Sequence, residues 1–296
     1  LNKNIFFKNF LFKSDKFYRN LMQTKRVFAS FRSDLKNFEI PLLDSYEKNH
    51  ILNFSSTTIK KFSKYPNIVV IGMGGSILGI KSIYSFLKTK IKKKIFFFDD
   101  LSENLHLKFN KIKNLKNSCF IIISKSGNTI ETITNLSMVF SKSLLKNKLI
   151  FITEIKDNGL NSIAGKFNAE IIEHKDFIGG RYSVLSEAGM FPAALMGFNI
   201  SKFKNLKKLI NDKNFTSSLI RNVASIYTFY GQGKKNSVTI NYDSNLDDLS
   251  YWYQQLVGES LGKRGKGITP ILSFGPRDHH SVLQLYLDGP KDKFFT

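Results

Sequence analysis

Short apolar runs at residues 68–71, 95–98, 120–123 and 149–152, with a weaker one at 170–172, alternate with stretches long enough for one helix each. A strand buried on both faces reads as a near-continuous apolar run. Strand–helix alternation builds parallel sheets because each crossover helix covers a face. From about residue 58 the pattern therefore predicts an α/β fold, a three-layer parallel sheet with helices on both faces. Sites in such folds lie at the carboxyl ends of the strands. Strands at 237–241 and 270–274, with helices around 246–261 and 281–287, predict a second, smaller unit of the same kind. The expected organisation is an N-terminal helical segment (1–57), a first α/β domain (58–205) and a second (206–296). Lys293-Phe-Phe-Thr296 reads as a strand just beginning, so the second sheet is expected to be incomplete and the sequence truncated.

Composition narrows the class. Hydrophobic residues make up 42% and charged residues 23% of the 296, an ordinary globular balance. The single cysteine, Cys119, cannot form an internal disulfide, so a reducing cytoplasm is the default. Apolar stretches fall far short of the ~20 residues of a membrane helix, and no membrane partner is expected. The net charge of +22 raises a nucleic-acid reading. The lysines, however, are dispersed along the chain with abundant Asn, Ile and Phe. Drift in an AT-rich genome explains that mixture, and no nucleic-acid partner is expected. The basic, Phe-rich stretch 1–32 is interrupted by Asp15 and lacks a cleavage site, so it predicts amphipathic helices covering the domain behind them. The chain begins with Leu, and its native start is expected upstream.

Two strand-to-helix junctions carry the first chemistry. After Cys119-Phe-Ile-Ile-Ile comes Ser124-Lys-Ser-Gly-Asn-Thr129, then a helical pattern at Ile130, Ile133, Leu136 and Val139. A tight turn at Gly127 and a helix start would set backbone N–H groups beside three hydroxyls and a lysine, a combination suited to phosphate. A well-capped turn is the plain alternative. At the other junction, Ile68-Val-Val-Ile-Gly-Met-Gly-Gly-Ser-Ile-Leu-Gly79, glycines allow close backbone approach to a ligand and Ser76 offers a hydroxyl. It matches neither a dinucleotide fingerprint nor a P-loop. In Ile178-Gly-Gly-Arg-Tyr-Ser183, Arg181 follows flexible backbone and can face an oxyanion, or a surface carboxylate. Gln255 and Glu259 stand four apart on one predicted helix. A desolvated glutamate there can act as a general base, whereas a solvated one is simply surface. Asp278-His-His-Ser281 supplies a histidine able to move a proton near neutral pH. No third residue stands at a metal-ligand spacing, and no metal is expected.

Taken in series, Gly74-Gly-Ser-Ile-Leu-Gly79, Ser124-Lys-Ser-Gly-Asn-Thr129, Gly179-Gly-Arg-Tyr-Ser183, residues 254–263 and residues 278–284 resemble the phosphoglucose isomerase family. The resemblance runs in order from about residue 66 to the end. The hydroxyl loop alone resembles the wider sugar-isomerase (SIS) fold, and the arginine, glutamate and histidine segments select the isomerase within it. The resemblance implies two SIS-like subdomains, a phosphosugar substrate, aldose–ketose isomerisation in glycolysis and gluconeogenesis, no cofactor and a homodimer. It implies that Ser76, Ser124, Lys125, Ser126 and Thr129 hold the phosphate and that Gly180 and Gln255 line the pocket. Arg181 then faces the enediolate, Glu259 moves the proton between C2 and C1, and His280, supplied by the partner subunit, opens the ring.

The chain departs from the family in two places. Gly127 and Asn128 follow the generic sugar-isomerase loop rather than the family's Phe-Thr form. The family also carries a lysine near its C-terminus, which this chain stops short of, so the 296-residue chain is expected to turn over poorly. A dual phosphoglucose/phosphomannose isomerase and a non-catalytic phosphosugar-sensing module are the alternative readings. The Gly-Gly-Arg-Tyr-Ser and Glu-Ser-Leu-Gly-Lys segments stand against the first, and Glu259 with Arg181 stands against the second.

Overall fold

The computed structural model describes residues 12–37, 39–112, 115–140, 148–204 and 206–296. Their order begins α1 (Asp15–Lys36), α2 (Pro41–Asp44), α3 (Ser56–Ser63), β1 (Asn67–Gly72), α4 (Gly75–Leu87), β2 (Lys94–Phe98) and α5 (Leu105–Asn110). It continues β3 (Ser118–Ile123), α6 (Ile130–Phe140), β4 (Leu149–Thr153), α7 (Gly159–Lys166), β5 (Glu170–Glu173) and α8 (Glu187–Leu195). The rest is α9 (Leu206–Asn211), α10 (Lys213–Tyr230), β6 (Asn236–Asn241), α11 (Asp247–Leu261), β7 (Thr269–Phe274), α12 (Leu283–Asp288) and β8 (Lys293–Phe295). Two compact units result. The larger is Ile51–Phe203 with Asp243–Leu256; the other takes the described residues of Leu1–His50, Lys204–Tyr242 and Val257–Thr296.

The larger unit is built on a five-stranded, all-parallel sheet of order β2-β1-β3-β4-β5. Every residue of β1, β3 and β4 is buried, because alternate side chains point to opposite faces and both faces are covered. On one face Ile68, Val70, Ile121, Ile123 and Ile150 pack with Phe62 of α3, Ile77 and Ile80 of α4 and Phe191 of α8. On the other, Val69, Ile71, Phe120, Ile122 and Phe151 pack with Leu105 and Phe109 of α5, Leu136 of α6 and Leu160 of α7. The weaker run is the edge strand β5. Its Glu170 accepts from Thr58 at 2.6 Å and pairs with Lys61 at 2.8 Å, which explains charges in a strand.

The second unit holds a three-stranded parallel sheet of order β7-β6-β8. Here the N-terminal helix departs from expectation. It packs on α10 of this second unit, joined by Asn20 Nδ2 donating to Thr228 Oγ1 at 2.9 Å and Lys16 Nζ donating to the Gly231 carbonyl at 2.8 Å. Phe229 of α10 stacks on Phe294 of β8 and meets Phe12 edge-on. A partner two hundred residues away leaves no trace in the period of either helix. The expected helical character of residues 1–11 lies outside the described residues. Among the described residues no helix is long and apolar enough to cross a membrane.

Candidate active site

Because β1 and β3 are hydrogen-bonded neighbours, with Gly72 opposite Ile123, the β1–α4 and β3–α6 connections leave the sheet side by side at its carboxyl edge. In the β3–α6 loop Ser124 is buried. Its Oγ accepts the Gly127 N–H at 3.2 Å and lies 2.9 Å from Thr129 Oγ1. Ser126 Oγ accepts the Asn128 N–H at 3.3 Å. Gly127 takes φ +72°, and a Cβ there would stand 2.2 Å from the Asn158 side chain, so two constraints require glycine. The neighbouring β4–α7 connection braces the loop. Leu160 N–H donates to the Gly127 carbonyl at 3.0 Å and Gly159 N–H to Asn128 Oδ1 at 2.8 Å. Helix α6 begins directly after this loop, and first-turn N–H groups, which lack an acceptor within their own helix, are the kind of cradle that suits an anion.

Lys125 is half-buried beside this cradle. Its Nζ donates to the Asp176 carbonyl at 2.5 Å and stands 3.6 Å from Glu154 Oε1. Burial acts to raise the Glu154 carboxyl, but Lys156 and Lys125 outweigh it and hold the group below the usual carboxylate range. Glu154 therefore keeps its charge and restrains the lysine on the loop.

The β1–α4 turn is built by subtraction. Gly74 takes φ +53° and α4 begins at Gly75, where a Cβ would stand 2.2 Å from the Gly180 carbonyl carbon. At Gly79 a Cβ would stand 2.5 Å from Val184 Cβ. At these two positions the space beside the glycines is taken by the arginine loop, whose backbone lies directly on α4 at Gly75. Ser183 Oγ donates to the Gly75 carbonyl at 3.1 Å, and Trp252 Nε1 donates to the Arg181 carbonyl at 2.9 Å. The Arg181 guanidinium lies over the Tyr182 ring, 4.6 Å from its centroid. The start of α11 is tied to α4 through Lys81, 2.7 Å from Asp99 and 3.8 Å from Asp248, and Ser85 also donates to Asp248. Further along α11, Gln255 Nε2 comes within 3.1 Å of where a Gly74 Cβ would be.

Eight candidates thus belong to one edge of the larger unit. Ser76, Gly180, Arg181 and Gln255 gather about the glycine turn, and Ser124, Lys125, Ser126 and Thr129 lie on the adjoining loop. Lys125 joins the two groups by holding Asp176, three residues before Gly179. The other two candidates belong to the second unit. Glu259 is exposed in the last turn of α11. His280 is exposed at the end of a 3-10 turn, Arg277–His280. Asp278 shapes that turn, accepting the Phe274 N–H at 2.7 Å and Arg277 Nε at 2.9 Å, and these bonds hold its carboxyl below the ordinary value. The neighbouring His279 meets Tyr242 Oη at 2.8 Å.

Residues that pattern reading passed over include Gly75, Trp252, Glu154 and Asp176. Trp252 had a usable signal: it is the only tryptophan, and a partly buried indole N–H needs an acceptor.

A model of the family described as phosphoglucose isomerase matches residues 48–272. Glucose-6-phosphate isomerase of Methanocaldococcus jannaschii is 38% identical over 248 residues, covering 80% of this chain and 61% of that protein. A hypothetical protein from Thermus thermophilus superposes with a TM-score of 0.77 at 23% identity, covering 94% of this chain and 72% of that one. A glucose-6-phosphate isomerase from Chlamydia trachomatis does so with 0.67 at 21% identity, covering 79% and 50%. These two likenesses concern the fold. The chain spans about 60% of the length of the first curated relatives it matches. On the family match, which takes in most of the chain and all three glycine-rich segments, the protein belongs to the phosphoglucose isomerase family.

Proposed function

We propose that this protein serves the interconversion of glucose 6-phosphate and fructose 6-phosphate, a cofactor-free aldose–ketose isomerisation of glycolysis and gluconeogenesis. The observation that carries the reading is the joining of two loops at one sheet edge, a hydroxyl-and-N–H cradle and an arginine, through Lys125 and the Gly75–Gly180 contact. A remote anion anchor beside a fixed cation is what proton abstraction next to a carbonyl requires, since the anchor supplies binding energy and the cation meets charge only as it develops.

In this reading Ser76, Ser124, Lys125, Ser126 and Thr129 hold the phosphate. His280 protonates the ring oxygen and the C1 hydroxyl loses its proton, giving the open aldehyde. The Glu259 carboxylate takes the proton from C2, and the C–H electrons form the C1–C2 double bond while the carbonyl electrons move to O1. Arg181 stabilises that enediolate. Glu259 returns the proton to C1 as the O2 hydroxyl proton passes to O1, leaving the C2 ketone. Gln255 and Gly180 line the pocket. Supply of His280 by a second copy makes the working form a homodimer, and the buried thiol Cys119 suits a cytoplasmic setting.

The test is solvent exchange. In D2O, fructose 6-phosphate should gain deuterium at C1 with this protein extended at its C-terminus to the length of its relatives. Glu259→Gln should slow this by about a thousandfold while leaving phosphosugar affinity within about threefold. Full activity in Glu259→Gln would remove its role as the base. Binding without exchange in the extended protein with Glu259 intact would favour the sensing module.

A further inference from the structure

The arginine loop is a connection between two fixed elements, β5 and α8, and both of its ends carry buried titratable groups that the proposed reaction does not use. His174 directly follows β5 and is 1% exposed; Glu187 opens α8 and is 0% exposed. Glu187 Oε1 accepts the backbone N–H of Asn53 at 3.0 Å, and Asn53 Nδ2 donates to Glu173 Oε2 at 3.2 Å. Asn53 thus bridges the last residue of β5 to the first of α8. The His174 backbone N–H donates to the Thr153 carbonyl at 2.8 Å, and its ring Nδ1 lies 3.0 Å from the Lys175 carbonyl. Two polar atoms are left over: Glu187 Oε2 and His174 Nε2 have no hydrogen-bond partner among the described residues.

With Nδ1–H donating to Lys175, a neutral His174 presents a bare acceptor at Nε2, and Glu187 Oε2 is another. Two buried acceptors without a donor are unfavourable. Burial pushes the His174 imidazole below its ordinary value. The Lys175 carbonyl and the charges of Glu187 and Glu154 oppose this, while Lys125 adds to it. The Glu187 charge acts on the His174 ring, and enclosed water can supply each leftover acceptor with the donor it lacks, so the β5 end and the α8 end share a buried polar region beside the Asn53 bridge. Between the two ends lie Gly179, Gly180 and Arg181. Gly75, Ser183 and Trp252 hold the middle of the loop, and its two ends set where those contacts fall.

We propose that His174 and Glu187, bridged through Asn53 and Glu173, form a buried clasp that fixes both ends of the arginine loop and thereby positions Arg181. Neither residue touches substrate, so both are positioning residues, and their assignment to catalysis rests on the isomerase reading above.

The test compares Glu187→Gln, which keeps shape and the bond to Asn53, with His174→Asn, which keeps a donor to the Lys175 carbonyl and removes Nε2. Two ligands separate loop placement from general damage. Inorganic phosphate probes the Ser124–Thr129 cradle, and 5-phospho-D-arabinonate, whose carboxylate imitates the enediolate, probes Arg181 as well. Each variant should bind the arabinonate about tenfold more weakly and inorganic phosphate within about twofold, and the double variant should be no worse than either single one. Equal loss for both ligands, additive losses, or no loss would overturn the clasp. If the unmodified protein binds phosphate but not the arabinonate, the isomerase reading fails. Amide hydrogen exchange across residues 179–183 then decides the clasp alone: faster exchange in both single variants supports it, and unchanged exchange rejects it.

Discussion

Two connections leave adjacent strands of one sheet, and they are filled in opposite ways. The β1–α4 junction has side chains removed at Gly75 and Gly79, and the space goes to the arginine loop, its backbone at Gly180 and the Val184 side chain. The β3–α6 loop keeps its side chains, with Ser124, Ser126 and Thr129 bonded to the loop itself and Asn158 filling the space beside Gly127. One is a seat for protein, and the other is the seat proposed for an anion. Similar glycine-rich strand–turn–helix sequences therefore serve different ends, and what decides between them is which segment stands opposite.

The comparison can be broken most forcefully at Gly75. Gly75→Ala sets a Cβ 2.2 Å from backbone, which cannot swing aside, so a loss of about 3 kcal/mol in urea unfolding is expected, and Arg181-dependent binding should go with it. Gly127→Ala meets a side chain instead. Positive φ and the Asn158 clash should cost about 2 kcal/mol, with part recovered in the Gly127→Ala/Asn158→Ala double variant, a recovery unavailable at Gly75. Recovery at neither or both would erase the distinction. Ser124→Ala should cost about 1 kcal/mol of stability by removing the contact with Thr129 Oγ1 and one of the two acceptors of the Gly127 N–H, which keeps the Ser124 carbonyl, and should weaken phosphate binding more than it weakens the Arg181 contact.

The strands beneath both loops give an effect confined to alkaline pH. Burial pushes the Cys119 thiol up to about 12, so the folded protein resists the thiolate that the unfolded chain forms near pH ~8.5. The stability contributed by the neutral thiol is full below that pH and declines as pH rises towards 12. Melting temperatures measured from pH 7 to 10.5 should fall more steeply for the unmodified protein than for Cys119→Ala. Equal slopes would show that this thiol does not contribute.

Much of the larger unit was legible because covering both faces of a sheet forces unbroken apolar runs, and β1, β3 and β4 appear at the expected places. The hydroxyl loop was legible too, since hydroxyls, glycine and a helix start occur in one short stretch. What pattern reading missed was tertiary. Gly75 meets Gly180 across more than a hundred residues, Trp252 holds Arg181 from another helix, and α1 finds α10 at the far side of the sequence. His174 and Glu187 look like ordinary loop and helix-start residues until their burial is known. The role expected of Glu259 stays beyond the larger unit, because that residue belongs to the second one.

The most direct test of the account is amide chemical-shift mapping of the labelled protein during titration with glucose 6-phosphate. The account expects the largest shifts at Ser126, Gly127, Asn128 and Thr129, with a second set at Gly180 and Arg181 that inorganic phosphate alone does not produce. Shifts confined to residues outside these two loops, or identical maps for phosphate and the sugar phosphate, would contradict the assignment of anchor and oxyanion sites to one edge of the larger unit.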